Sequence, residues 1–445
     1  MTTLRTIIRP PRTAARGRHA RGDAPGSPLL ASLALLAALC WLLATGRWGA
    51  YVGLPHDRLF ATDIALGASA LALLPHLRTQ ARGLRRLARD PLAVVMLALF
   101  AWCTVRFLSP LHWTHDGLRD YVPYGYALVA LLAVLTRSWR RLRAWHVGVV
   151  LVAHLVWVYY SARILARWDT PVLGPIRMFT LRTDFEAMVF GLGGIFSLLQ
   201  LLRPSHWAAR AGWLALGLAS FYELLQQNNR ASVVATAVGI VGVGLPLAVR
   251  LLSTPRLSRW HKAALAALTL VVVVVGGILS AHSPTVVKIQ NTLNGKEEGT
   301  VQARQEVYRR VVHHATSSPS HVLVGDGFGP DFLEEIGAAR YYEASYDRVR
   351  APHDIVLNTL ARTGFPGAVL HAGVILLAMV SAVRALWRPN RSPGLQLAAV
   401  SVLVVPVVAL FGVILESPFG AVPYFWAVGT LLAALSFGDE AEVDQ

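Results

Sequence analysis

Apolar stretches of about 18 residues or more recur along the whole of this chain, and they constrain its fold more than any other feature. A helix of that length crosses a hydrocarbon core of ~30 Å with its backbone hydrogen bonds satisfied internally. Twelve such segments stand at approximately residues 28–46, 59–77, 91–108, 121–136, 145–165, 184–202, 210–227, 231–252, 261–281, 366–386, 395–415 and 421–437. The chain is therefore read as an all-α polytopic membrane protein with about twelve transmembrane helices. A soluble all-α fold is excluded, because nearly every helix would be apolar all round. With 54% hydrophobic and only 15% charged residues, little polar surface is available to cover such helices.

The formal net charge of +17 suggests nucleic acid as a partner until its distribution is considered. Arginine clusters precede the first span (Arg5 to Arg21) and follow the second (Arg78 to Arg89) and the fourth (Arg137 to Arg143). Others follow the sixth (Arg203, Arg210), the eighth (Arg250 to Lys262) and the tenth (Arg384 to Arg391). With twelve spans, every cluster falls on one side, which the positive-inside rule makes cytoplasmic. The arginines then orient the chain and touch anionic lipid, and no nucleic-acid partner is expected. Both termini are cytoplasmic on this reading. The apolar segment from Leu29 to Ala44 lacks a small-x-small cleavage site and reads as a retained first helix. Cys40 and Cys103 both lie inside apolar runs, so no structural disulfide is expected.

The expected organisation is a basic N-terminus at 1–27, nine spans over 28–281, an insert at 282–365, three spans over 366–437 and a tail at 438–445. The insert is polar and lies on the extracytoplasmic side, where it would act as a lid. Within it, Thr300 to Ser317 reads as one helix with Thr300 as N-cap, placing Arg304 and Tyr308 one turn apart. Gly325-Asp326-Gly327-Phe328-Gly329-Pro330 reads as a turn, and Asp331 to Tyr341 as a second short helix. His353 and Asp354, after Pro352, fall at the start of the next helix.

The chemistry is expected on that side. Asp63, Arg106, Arg163, Glu186, Glu223 and Glu416 gather toward it at span ends, and ionisable groups in a membrane default to function. His353 at a helix N-terminus would stay neutral and suit the removal of a proton from an attacking hydroxyl. The alternative is a histidine that only caps the helix or bonds its loop. Arg230, Arg304 and Arg182 are isolated arginines on the side where topology does not call for them, which points to an anionic ligand such as a diphosphate. Pairing with Glu223 or with lipid phosphate is the competing use. His112-x-x-His115-Asp116 and His313-His314 lack further clustered ligands, so no metal site is expected. Gly325-x-Gly327-x-Gly329 follows no strand and is no phosphate loop. No cofactor is expected.

The segments Asn229-Arg230-Ala231-Ser232, Ala303-Arg304-Gln305-Glu306-Val307-Tyr308 and Gly325-Asp326-Gly327-Phe328-Gly329 stand in an order and spacing that resembles the bacterial O-antigen ligases. So do His353-Asp354-Ile355-Val356-Leu357, Gly364-Phe365-Pro366-Gly367 and Leu415-Glu416-Ser417-Pro418. The resemblance covers most of the chain from about residue 180. It implies a GT-C-like, inverting, metal-independent glycosyltransferase of the bacterial inner membrane, with its active site facing the periplasm. The implied donor is an undecaprenyl-diphosphate-linked O-antigen, and the acceptor a sugar hydroxyl of lipid A–core. Arg230, Arg304 and His353 fall on the family's functional positions, with Tyr308, Asp354 and Glu223 as supporting candidates. Two departures stand out. Family members often carry Ser-Arg-Gly where this chain has Asn229-Arg230-Ala231, and His-Asn where it has His353-Asp354. An O-antigen polymerase, a protein O-oligosaccharyltransferase and, from another class, a lipid-linked glycan flippase are the competing functions.

Overall fold

The computed structural model describes residues 28–53, 60–78, 87–109, 113–163, 172–173, 176–177, 183–203, 205–253, 283–294, 299–342, 349–387 and 391–437. The helices in chain order are α1 (Leu29–Ala50), α2 (Ala61–Leu73), α3 (Pro91–Phe107), α4 (His115–Gly125), α5 (Ala127–Thr136) and α6 (Ala144–Arg163). Next come α7 (Thr183–Leu201), α8 (Trp207–Gln226) and α9 (Arg230–Ser253). The insert contributes α10 (Pro284–Leu293), α11 (Gly299–Ala315), α12 (Pro319–Val324) and α13 (Phe332–Glu335). Finally α14 (Ile355–Trp387), α15 (Pro393–Ala409) and α16 (Pro418–Phe437) close the fold. A ribbon pairing Val172–Leu173 with Ile176–Arg177 is the one sheet among the described residues.

This is an all-α polytopic membrane protein. Eleven of the twelve expected spans coincide with helices, and the ninth, at 261–281, lies outside the described residues. Among the described residues, six helical segments are long and apolar enough to cross a bilayer: Leu29–Ala50, His115–Thr136, Ala144–Ser161, Asp184–Leu201, Ile355–Trp387 and Pro418–Phe437. Several starts follow one local rule, an oxygen-bearing cap followed by proline. Asp90 accepts from the Leu92 N–H before Pro91, Ser392 from Leu395 before Pro393, and Ser318 from His321 before Pro319. Each cap satisfies an amide that has no partner inside its helix, and each proline occupies a position whose N–H would be idle.

The bundle is layered. In α16 and α7, 89% of the span is buried by neighbouring helices, against 28% in α6. Val149, Val152, Val156 and Tyr159 on α6 are exposed, as befits a helix whose outer face meets lipid. Apolar burial drives little helix association inside lipid, so close packing and buried polar contacts set the pairing. Gln200 on α7 donates to Gln396 on α15 at 2.8 Å, and the Trp426 indole donates to Ser138 at 3.0 Å. The Trp102 indole on α3 donates to the Thr363 carbonyl on α14 at 2.9 Å.

Two details of the insert differ from the sequence reading. Its main helix begins at Gly299, so Thr300 falls in its first turn. The expected helix from Asp331 to Tyr341 is broken: α13 ends at Glu335, Gly337 turns left-handed (φ 63°), and a single 3-10 turn follows at Ala339–Tyr341. Val307 and Val311 on α11 pack with Phe332, Leu333, Ala338 and Ala361 into a small separate core. The tenth expected span is the second limb of a longer helix. α14 begins at Ile355, bends at Gly364 (φ 71°) and runs on to Trp387.

That bend is where the insert docks. The Asp326 and Gly327 amides donate to the Ala361 and Arg362 carbonyls at 2.8 and 2.9 Å, which the bend leaves without helical partners. The two backbones lie so close that a Cβ on Gly325 would stand 2.5 Å from the Ala361 oxygen, and one on Gly364 would stand 2.6 Å from the Leu323 carbon. Both glycines have positive φ. Gly325→Ala and Gly364→Ala should each cost about 2 kcal/mol or more, from backbone strain and overlap together. A marked fall in Tm is expected for both, while Gly67→Ala, which meets nothing within 4 Å on α2, should leave Tm nearly unchanged.

Candidate functional site

A buried ion cluster assembles the site, and its members are far apart in sequence. Arg350 donates to Asp120 at 2.8 Å, to the Gly329 carbonyl at 2.5 Å, and lies 3.3 and 3.4 Å from Asp116 and Asp331. Arg362 reaches the same Asp120 oxygen at 2.8 Å and donates to Asn358 and to the Arg350 carbonyl. Its guanidinium lies 5.2 Å over the Phe332 ring. Both arginines and Asp120 are buried. Charges are tolerated at such depth only when paired and hydrogen-bonded, so α4, the 325–331 strut, the 349–354 turn and the first limb of α14 must meet here. Phe328 fills the gap beside it, against Tyr121 and Tyr124.

The Arg350 anchor fixes the turn that carries His353. Asp354, the next residue, is the cap of α14, its carboxylate accepting from the Val356 and Leu357 amides at 2.9 and 3.0 Å. Burial pushes its pKa up, and these two amides oppose that shift. The helix-capping task considered for His353 therefore belongs to Asp354. An asparagine can cap in the same way, which gives the His-Asn departure a physical equivalence. His353 itself sits in the left-handed region (φ 59°), one of three described non-glycine residues to do so. That conformation costs of order 1–3 kcal/mol and is held only where surroundings impose it.

Around His353 stand groups from three other segments. The Tyr342 ring lies 4.7 Å from the imidazole, centroid to centroid. Tyr308, on α11, donates its hydroxyl toward the His353 carbonyl at 3.4 Å and the Leu410 carbonyl at 3.3 Å. It thereby ties the insert to the end of α15. Burial and the nearby Asp354 carboxylate push the Tyr308 phenol up to about 12, with Arg304 pulling the other way. Tyr308 is then a neutral donor at physiological pH and no rival to His353 as a base. Burial likewise raises Tyr342, and Arg304 and Glu416 act on it too. Arg304 is half-buried one turn before Tyr308, as the spacing predicted. On the far face of α11, Glu306 pairs with Arg309 and Arg310, and those contacts lower its pKa to about 2.

Arg304, Tyr308, His353 and Asp354 thus come together near Glu416, another residue singled out from the sequence, and the structure adds Tyr342. Arg230 and Glu223 flank a different feature, the turn between α8 and α9, in which Asn229 caps α9 through the Ser232 amide. That turn lies at the same end of the bundle. The Ser232 hydroxyl donates to the Asp184 carbonyl, and the Asp184 carboxylate stands 3.0 Å from where a Cβ on Gly412 would lie, two residues from Leu410. Arg182 lies outside the described residues, as does His112. His314, read from sequence as solvated, is half-buried and bonded to Asp326 at 2.9 Å. Tyr342 and the Arg350–Asp120–Arg362 cluster escaped the sequence reading. The only local signal was Arg350 itself, three residues before His353.

The site is thus a group of cationic, imidazole and phenol side chains gathered under a helical insert at one end of a membrane bundle. Residues 207–372 match the family model described as O-antigen ligase. In this segment the chain is similar to the O-antigen ligase/polymerase superfamily. The matched segment begins with α8 and ends inside α14, so Arg230, Arg304, Tyr308, His353 and Asp354 all lie within it. No curated protein matches the chain.

The capping role has a direct check. Asp354→Asn should retain both folding and activity. Asp354→Ala should lose about 1 kcal/mol, read as a lower Tm, and with it part of the activity as the His353 turn loosens.

Proposed function

We propose that this protein is an O-antigen ligase. It transfers a glycan from an undecaprenyl-diphosphate carrier to a sugar hydroxyl of lipid A–core, at the periplasmic face of the inner membrane. The observation that carries the reading is the convergence of Arg304, Tyr308 and Tyr342 on a strained His353 at one end of a lipid-facing bundle.

The chemistry follows from the leaving group. Diphosphate departs readily once its charge is neutralised, so the site needs cations there and a base on the opposite face. Arg304, on the lid, and Arg230, at the start of α9, bind the diphosphate through guanidinium forks that keep their charge at any physiological pH. In a water-poor site such fixed charges stabilise the developing negative charge strongly. His353 takes the proton as the acceptor oxygen attacks the anomeric carbon, the C–O bond to diphosphate breaks, and the configuration inverts. Tyr308 orients the His353 turn, and Asp354 holds the helix start beneath it. The transmembrane helices receive the polyprenyl chain and the acyl chains of the acceptor from the bilayer.

Purified protein in detergent, supplied with lipid-linked glycan and rough lipopolysaccharide, tests this. Glycan joined to lipid A–core is the predicted product. A longer glycan still on its carrier would instead make the protein a polymerase, and movement of lipid without a new bond would make it a flippase. Arg230→Ala, Arg304→Ala and His353→Ala should each reduce transfer by 100-fold or more, on the order expected for loss of a general base or a transition-state cation. Normal turnover by His353→Ala would remove the general-base assignment.

A further inference from the structure

A second cluster lies within the insert, away from His353, and the transfer chemistry makes no use of it. His314 on α11, His321 on α12 and Asp326 on the strut present one ligand atom each, all within 4.8 Å of one another. His314 Nε2 is 2.9 Å from Asp326 Oδ2, and His321 Nε2 is 3.4 Å from Asp326 Oδ1. The two imidazoles lie 4.6 Å apart, centroid to centroid, and tilt by 33°.

The hydrogen bonds around His321 fix where its proton lies. The Ser317 hydroxyl donates to the His314 carbonyl at 2.7 Å, so its oxygen is left to accept. His321 Nδ1 stands 2.9 Å from that oxygen and 3.2 Å from the same carbonyl. A carbonyl can only accept, so Nδ1 carries the hydrogen. In the neutral ring Nε2 is then a bare lone pair, and it faces a carboxylate oxygen. Two acceptors at this separation repel unless a positive charge lies between them, either a second proton on the ring or a metal ion.

We propose that His314, His321 and Asp326 bind a divalent transition-metal ion of the zinc class. Two imidazole nitrogens and one carboxylate oxygen are a zinc donor set, and water completes the fourth position. Ligand atoms at ~2.1 Å from a tetrahedral ion stand about 3.4 Å apart, so three atoms already within 4.8 Å of one another need only a small closure around it. The Nδ1–H of His321, held by a carbonyl and a hydroxyl, is the outer support that metal-binding histidines ordinarily have. The Asp326 side chain is 9% exposed and that of His321 32%, so the pocket is shielded but open to an entering ion. Arg106 is the other cation facing Asp326, through its Coulombic interaction with that carboxylate, and it also bonds the Gly325 carbonyl at 3.4 Å.

The ion would staple α11, α12 and the strut together. Because the strut is bonded to the bend of α14, the staple fixes the helix bearing Arg304 and Tyr308 relative to α14, whose start carries the His353 turn. Its role is structural, and it is independent of the transfer reaction proposed above.

The test uses full-length protein in detergent, purified without a histidine tag, stripped with chelator and re-equilibrated with zinc sulfate. Bound zinc is counted by elemental analysis after desalting, and Tm is followed in parallel. One zinc per chain and a rise in Tm of several degrees are expected. The His314→Ala/His321→Ala double variant should lose both, and His313→Ala, one residue away and exposed, should keep both. His321→Gln provides a milder variant if the double one folds poorly, and it should bind zinc at least tenfold more weakly. Wild-type protein that takes up no zinc, or a double variant that retains full stoichiometry, would overturn the proposal.

Discussion

The pairing of Asp120 with two arginines, Arg350 and Arg362, is the interaction on which the rest of the arrangement depends. Three charged side chains buried at the junction of bundle and insert are tolerable only as a complete set. Removing one member of such a buried pair typically costs roughly 3–5 kcal/mol, because its partner is left charged and unpaired. Asp116 and Asp331 offset the second guanidinium, and backbone carbonyls take the remaining donors. Four segments separated by as many as 246 residues (116 to 362 counted along the chain) are thereby required to meet at one point. The cluster is a registration device: it specifies where the insert sits more than it adds stability.

What it registers is the His353 turn. Arg350 anchors one side of that turn and Asp354, as helix cap, the other, leaving His353 in a conformation that an unsupported histidine would seldom adopt. In the insert's own core, built on Val307, Val311, Phe332 and Leu333, apolar burial contributes about 1.5–3 kcal/mol per large side chain. That core holds α11 against the first limb of α14 and so delivers Arg304 and Tyr308 to the turn. The membrane helices contribute differently. They supply the Leu410 carbonyl that Tyr308 bonds and the lipid-facing walls, and they rely on close packing and a few buried hydrogen bonds.

The bundle was legible from sequence because apolar runs report directly on helices in lipid, and eleven of the expected segments coincide with helices. His353, Arg304 and Tyr308 were legible because each stands in a short segment of distinctive type and spacing. The cluster that assembles them was not. Asp120, Arg350 and Arg362 sit among ordinary polar residues, and only the fold makes them neighbours. The early start of α14 was hidden for a related reason. Gly364-Phe365-Pro366-Gly367 reads as a helix break, yet the bend it makes is bridged by the Asp326 and Gly327 amides, far upstream in the chain. The 331–341 segment failed at one residue, Gly337, whose left-handed backbone ends the helix early.

Hydrogen exchange on the Asp120→Asn variant in detergent tests most directly whether this cluster seats the insert. Loss of half the charge balance should release the docked elements as a unit. The predicted result is a common loss of protection over residues 301–342 and 350–362, with transfer activity falling in step, while α7, α15 and α16 keep their protection. An insert that stays protected and active in that variant would contradict the account.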